Sequence, residues 1–207
     1  VFVYLSDHGD QVGEKDLFGK QSFFELSSKI PMIFEGEGIK ANERIDEATS
    51  IMDLGPTLCD IVGATPPPAQ DGKSLINAIN QGEEDLDRYI LCEFMETDPS
   101  GRSIPCRMIK QGKWKLISYA FYENDDLLFD IENDHHEITN PAQKHPKKAK
   151  ELKELLSQGW DIDNTIGEHK WKLENYAILE KWGQVVDLEE PERWEVPKKA
   201  TIHPDRQ

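Results

Sequence analysis

The chain predicts an α/β fold with a smaller β-rich unit appended, and three features carry that prediction. An apolar run, residues 1–5 (VFVYL), stops abruptly at Ser6-Asp7-His8-Gly9. That is the pattern of a buried strand whose carboxyl end opens into a loop, where open α/β sheets bind ligands. Residues 53–62 (DLGPTLCDIV) carry helix punctuation, with Asp53 as a cap, Pro56 in the first turn and Gly63 as a stop. Beyond Gly82 the chain turns into short strands joined by local turns, as in an antiparallel sheet.

Taken in order, residues 18–28 fit a short helix or turn, and Phe23-Phe24 return the chain to a core. Residues 30–35 (IPMIFE) form a second apolar run suited to a buried strand, closed by Gly36 and Gly38. Residues 42–48 are polar and predict a loop or edge. In the 53–62 helix, Leu54, Leu58, Ile61 and Val62 share one face for packing on a sheet. Pro66-Pro67-Pro68 predict an extended linker, Asp71-Gly72 a turn, and residues 74–81 a short capped helix.

Residues 88–94 predict a strand, residues 104–109 and 113–119 a hairpin around Gln111-Gly112, and residues 127–131 a further strand. Residues 146–158 predict an amphipathic helix, with Pro146 at its first position and Gly159 at its end. Residues 168–182 predict one more helix, whose Trp171, Tyr176, Ile178, Leu179 and Trp182 call for a partner surface. The rest, rich in Glu, Lys and Pro, predicts an extended tail. The domain expectation is therefore residues 1–81, an α/β part with the Asp-His loop. Residues 82–159 follow as a small antiparallel sheet with a packed helix, and residues 160–207 as a helical and extended extension.

A net charge of −16 and a pI near 4.8 leave no basic face for nucleic acid and no polybasic patch for a membrane surface. No apolar run has transmembrane length. Cys59, Cys92 and Cys106 have neither metal-site spacing nor the pattern of a disulfide framework, and the expectation is buried free thiols. Val1 follows no initiator Met or signal sequence and reads like the middle of a protein.

Asp7 and His8 side by side offer a carboxylate and an imidazole to a divalent cation, although two ligands do not complete a shell. The other reading of the same residues is a strand-to-loop turn in which Asp7 accepts backbone N–H bonds. Lys20 is either a ligand for an anion or a solvated surface charge.

The run SDHGDQVGEKDLFGKQSFFELSSKIPMIF resembles the C-terminal metal-and-substrate segment of the sulfatase family, in the alkaline phosphatase superfamily. Two later blocks agree with it, MDLGPTLCDIVGATPPPAQDGKSL and LLFDIENDHHEITNPA, in the expected order. His at position 8 is similar to the choline-sulfatase, iduronate-sulfatase and phosphonate monoester hydrolase branches. The resemblance implies the C-terminal part of an alkaline-phosphatase-like sandwich. It implies that Asp7 and His8 bind a divalent cation, Ca²⁺ in sulfatases or Mn²⁺ or a similar ion in phosphonate hydrolases. Imidazole beside a hard cation leaves the metal's identity open. Lys20 would contact the sulfate oxygens of a small-molecule or saccharide ester, and Asp53, Pro56, Thr57 and the 130–140 turn would be structural.

Two departures limit what the chain does alone. The family's nucleophile is a formylglycine made in a Cys/Ser-x-Pro-x-Arg motif, and none of the three cysteines stands in one. The family's early Asp-Asp metal pair is also missing. Both are expected upstream of Val1, so the chain by itself is expected to be inactive. His135-His136 stand where the family has Pro-x, and a solvated turn is the expectation there. Two alternatives stay open: a phosphonate monoester or phosphodiester hydrolase, and a non-catalytic module assembled as a homo-oligomer through the aromatic C-terminal extension.

Overall fold

The computed structural model describes residues 1–186, and residues 1–162 form one compact unit. The extreme C-terminal stretch expected to be extended lies outside the described residues. In the compact unit, strands β1 (Phe2–Leu5) and β4 (Met32–Glu35) pair antiparallel as a two-stranded ribbon. Between them lie the short strands β2 (Gln11–Val12) and β3 (Phe18–Gly19), which pair with each other, and the one-turn helix α1 (Glu25–Ser28). Both apolar runs are thus strands, and within residues 1–162 taken by themselves Phe2, Tyr4 and Ile33 on them are more than half exposed. A ribbon of two strands is too small to bury its own side chains.

Helix α2 (Leu54–Val62) follows a 3₁₀ turn, Ile51–Asp53, and ends at Gly63 in the left-handed region (φ 67°). The helical stretch begins earlier than the sequence suggested. Ser50 is its N-cap, and Asp53 is the reciprocal partner in a capping box, accepting the Ser50 N–H at 2.8 Å. This frees the other oxygen of Asp53, Oδ1, to accept the Lys73 N–H at 2.8 Å and the Arg88 guanidinium at 2.7 Å. Thr57 adds a second tie, donating to the Asp53 carbonyl and accepting the Leu75 N–H. Helix α3 (Ile76–Gln81) follows at once, so these bonds fasten the 71–75 turn to α2.

The β-rich segment is a four-stranded antiparallel meander, β5 (Tyr89–Thr97), β6 (Ser103–Gln111), β7 (Trp114–Tyr119) and β8 (Leu127–Asp130) in that spatial order. The β6–β7 hairpin turns at Gly112, whose φ of 51° suits glycine. Alternation gives the sheet two covered faces. Ile109, Leu116 and Leu128 pack on Leu152 and Leu156 of helix α4 (Pro146–Ser157). Ile104, Cys106, Met108, Ile117 and Phe129 pack on Phe23, with Phe24 alongside. The Phe23 and Phe94 rings lie 4.4 Å apart, and Phe24 meets Phe129 edge-on at 6.0 Å. The aromatic pair thus docks the opening segment on the sheet; burying Phe23 alone is worth about 1.5–3 kcal/mol.

The three cysteines are free. Burial pushes the Cys106 thiol up to about 12, as expected of an inert core thiol. Cys59 is half-buried, and Cys92 is exposed because β5 is the edge strand of the sheet. Residues from Asp163 onward form a second unit, described as far as the end of helix α5 (Ile162–Val186). This helix outruns the predicted 168–182 at both ends. Trp171, Tyr176, Ile178, Leu179 and Trp182 are exposed on it, and its apolar residues do not gather into one stripe.

Candidate metal and anion site

The turn after β1 is held by short local bonds. Ser6 Oγ donates to the His8 carbonyl at 2.6 Å, and the His8 N–H donates to Asp7 Oδ1 at 3.1 Å. Gly9 then passes directly against α1: its N–H donates to the Ser27 carbonyl at 2.8 Å. A Cβ at Gly9 would lie 2.1 Å from the Leu26 carbonyl oxygen, so no side chain fits there.

The small β2–β3 hairpin brings the chain back. Gln11 stands opposite Gly19, which delivers Lys20 beside His8. The hairpin's loop needs unusual backbone, with Gly13 at φ 123° and Lys15 and Asp16 near +55°. Glu14 steadies it by accepting the Val12 N–H at 2.9 Å, a bond that also holds its carboxyl below the ordinary range. Lys15 ties the loop to a distant turn, its Nζ donating to the carbonyls of His136 at 2.8 Å and Glu137 at 2.6 Å.

The three side chains singled out in the sequence therefore converge. Lys20 Nζ is 3.0 Å from His8 Nε2, and Asp7 Oδ2 is 3.4 Å from the same nitrogen. The His8 Nδ1 atom is 2.8 Å from the Gly9 carbonyl, which can only accept, so Nδ1 carries the proton. Lys20 Nζ can only donate, so the Nε2 atom it meets at 3.0 Å is the acceptor of that bond, and a cation bound to Nε2 would take the ammonium's place there. The donor pair, one carboxylate oxygen and one imidazole nitrogen, fits a divalent cation in kind and is short of a shell in number. Among the described residues no group of three or more His, Cys, Asp or Glu gathers in the manner of a metal site. The Asp7 side chain is 80% exposed, which leaves room for ligands from elsewhere.

His135 and His136 are both exposed, and His135 Nδ1 bonds the Ile131 carbonyl at 2.8 Å, so this pair forms a solvated turn. Other residues around the loop gave no sequence signal. Lys115 is fully buried and pairs with Glu25 and Glu137, each at 2.8 Å. Ser27, also buried, touches both arms of the site.

Residues 13–161 match the family described as N-sulphoglucosamine sulphohydrolase, C-terminal. The chain belongs to this sulfatase family. It is 33% identical over 195 residues to arylsulfatase K of Canis lupus familiaris, covering 90% of this chain and 35% of that protein. To the choline-sulfatase of Rhizobium meliloti (strain 1021) it is 35% identical over 171 residues, covering 79% of this chain and 32% of that protein. A solved 2-O GAG sulfatase superposes with a TM-score of 0.59 at 26% identity, over 97% of this chain and 42% of that one. The sulfatase chain thus has the alkaline-phosphatase-like fold that its motifs implied, and it spans about a third of the length of the curated relatives it matches.

Proposed function

We propose that this sulfatase chain supplies one side of a sulfuric ester hydrolase site, with Asp7 and His8 as ligands of a divalent cation and Lys20 as a sulfate contact. The observation that carries this reading is the convergence of Asp7 Oδ2 and Lys20 Nζ on His8 Nε2, within 3.4 Å. The exposed carboxylate and the oriented imidazole suit a cation, and the ammonium, once displaced from Nε2 by that cation, suits the anion beside it. The named activity of the relatives, aryl sulfate and choline sulfate hydrolysis, agrees with that chemistry.

Ca²⁺ is the first choice of ion and Mn²⁺ the second; when bound, it polarises the sulfate ester and offsets charge on the reacting oxygens. The chain's own residues do the rest of what this side of the site requires. His8 is held in its ligating tautomer by the Gly9 carbonyl. Lys20 brings a positive charge to the sulfate oxygens, where negative charge grows in the transition state. The nucleophile, a formylglycine, is proposed to lie in the part of the protein beyond this third, since Cys59, Cys92 and Cys106 stand outside the required motif. The substrate is proposed to be a small-molecule or saccharide sulfate ester, in keeping with the GAG sulfatase among the structural neighbours.

The test is turnover by the complete protein of an aryl sulfate beside an aryl phosphonate monoester. The sulfate is expected to react faster, and Lys20→Ala is expected to lower kcat about 10²–10³-fold. A faster phosphonate reaction would move the assignment to a phosphonate hydrolase, and a Lys20→Ala variant at wild-type rate would remove the lysine from the site. The 207-residue chain alone is expected to turn over neither ester.

A further inference from the structure

The site's groups sit on two separate segments, the 6–9 turn and the Gly19–Lys20 end of the small hairpin. These segments meet at one buried residue, Ser27, which is 2% exposed. Its carbonyl accepts the Gly9 N–H at 2.8 Å, directly after the proposed ligand His8. Its hydroxyl donates to the carbonyl of Lys20. A single residue thus links the two segments, through its side chain to the backbone from which the lysine projects and through its own backbone to the turn that carries the histidine.

Helix α1 is one turn long, too short to hold Ser27 by its own hydrogen bonds. It is held from outside at both ends. The Glu25 carboxylate pairs with buried Lys115 at 2.8 Å, and the Glu25 N–H donates to Glu137 Oε2 at 2.7 Å. Lys115 also binds Glu137 at 2.8 Å and reaches Ser28 Oγ at 3.5 Å, while Ser28 Oγ donates to the carbonyls of Phe23 and Phe24. Lys115 projects from β7, so the anchor is the four-stranded sheet.

We infer that Ser27 is a positioning residue for Lys20, and that the Glu25–Lys115–Glu137 cluster holds Ser27 in place. This inference rests on the sulfatase reading of Lys20. The Lys20 ammonium stands 3.0 Å from His8 Nε2, and holding it there takes both its side-chain conformation and a fixed backbone from which to project. The Lys20 carbonyl also accepts the Ser22 N–H at 2.8 Å, a bond within the same loop, so removing the Ser27 hydroxyl cuts the tie between Lys20 and α1 while leaving that local bond. A misplacement on the order of 1 Å at a reacting centre costs about 10²-fold in rate.

The experiment is a double-mutant cycle in the complete protein, with Ser27→Ala, Lys20→Ala and both together. It measures kcat and KM on an aryl sulfate, inorganic sulfate binding by calorimetry, and thermal unfolding. Ser27→Ala is expected to lower kcat by about tenfold or more, with a smaller change in KM and weaker sulfate binding. In the Lys20→Ala background it is expected to change kcat very little, because the group it positions is gone. A loss by the same factor in both backgrounds, or a wild-type kcat for Ser27→Ala, would overturn the inference. Lys20→Ala at full activity would instead overturn the sulfatase reading of the lysine, and the inference with it. Should Ser27→Ala fail to fold, Ser27→Cys carries the same cycle, since it keeps the side chain's shape while weakening the donor.

Discussion

At the residue scale, the site depends most on a position with no side chain at all. Gly9 lies so close to α1 that an added methyl would meet the Leu26 carbonyl oxygen at 2.1 Å, and a backbone carbonyl cannot turn aside. Gly9→Ala is therefore expected to cost about 1–3 kcal/mol in urea unfolding and to weaken divalent-cation binding by displacing His8. Unchanged stability would mean that the turn does not pack this tightly. Asp7, His8 and Gly9 were legible in the sequence because they are adjacent in one turn and of telling types. Lys20 was legible only by resemblance. Ser27 and Lys115 were not legible. Lys113 and Lys115 are two residues apart with the same parity, yet Lys113 is 39% exposed and pairs with Asp130 while Lys115 is fully buried. The difference comes from Glu25 and Glu137, which the fold brings from 90 residues before and 22 after.

Strands and helices were read from the sequence more reliably than their surroundings. Each strand of the meander lies within a few residues of its predicted place, because short apolar runs between turn residues report directly on pairing. Strands β1 and β4 are as apolar as core strands and pair as a two-stranded ribbon, whose outward apolar residues are exposed in this chain of about a third of its relatives' length. Helix α2 was also found, with its cap misplaced by three residues, since Ser50 and Asp53 are both good cap types and only the geometry separates them. That geometry supports a prediction. Arg88 bridges Asp53 at 2.7 Å and Glu47 at 3.2 Å, and both carboxylates are buried. Burial opposes the Arg88 charge, but the two partners outweigh it and raise its pKa. Arg88→Leu would leave both carboxylates short of their main cation and is expected to cost about 3–5 kcal/mol in chemical denaturation. A loss below 1 kcal/mol would show that Lys73, 3.3 Å from Glu47, suffices alone.

For the whole molecule, the compact unit of residues 1–162 and the unit that follows it pose separate questions. Helix α5 exposes Trp171, Tyr176, Leu179 and Trp182. If this surface assembles copies of the protein, deleting the residues after Ile162 from the complete protein reduces its mass in solution to that of a monomer. An unchanged mass would exclude the extension as the interface. In the other unit, Asp7 and His8 are proposed to hold a divalent cation beside Lys20. Metal content of the complete protein after dialysis against Ca²⁺, compared with Asp7→Ala and His8→Ala variants of matched thermal stability, tests it most directly. Stoichiometric metal is expected in the wild type, with a clear loss in both variants; full metal retention in both would rule out Asp7 and His8 as ligands.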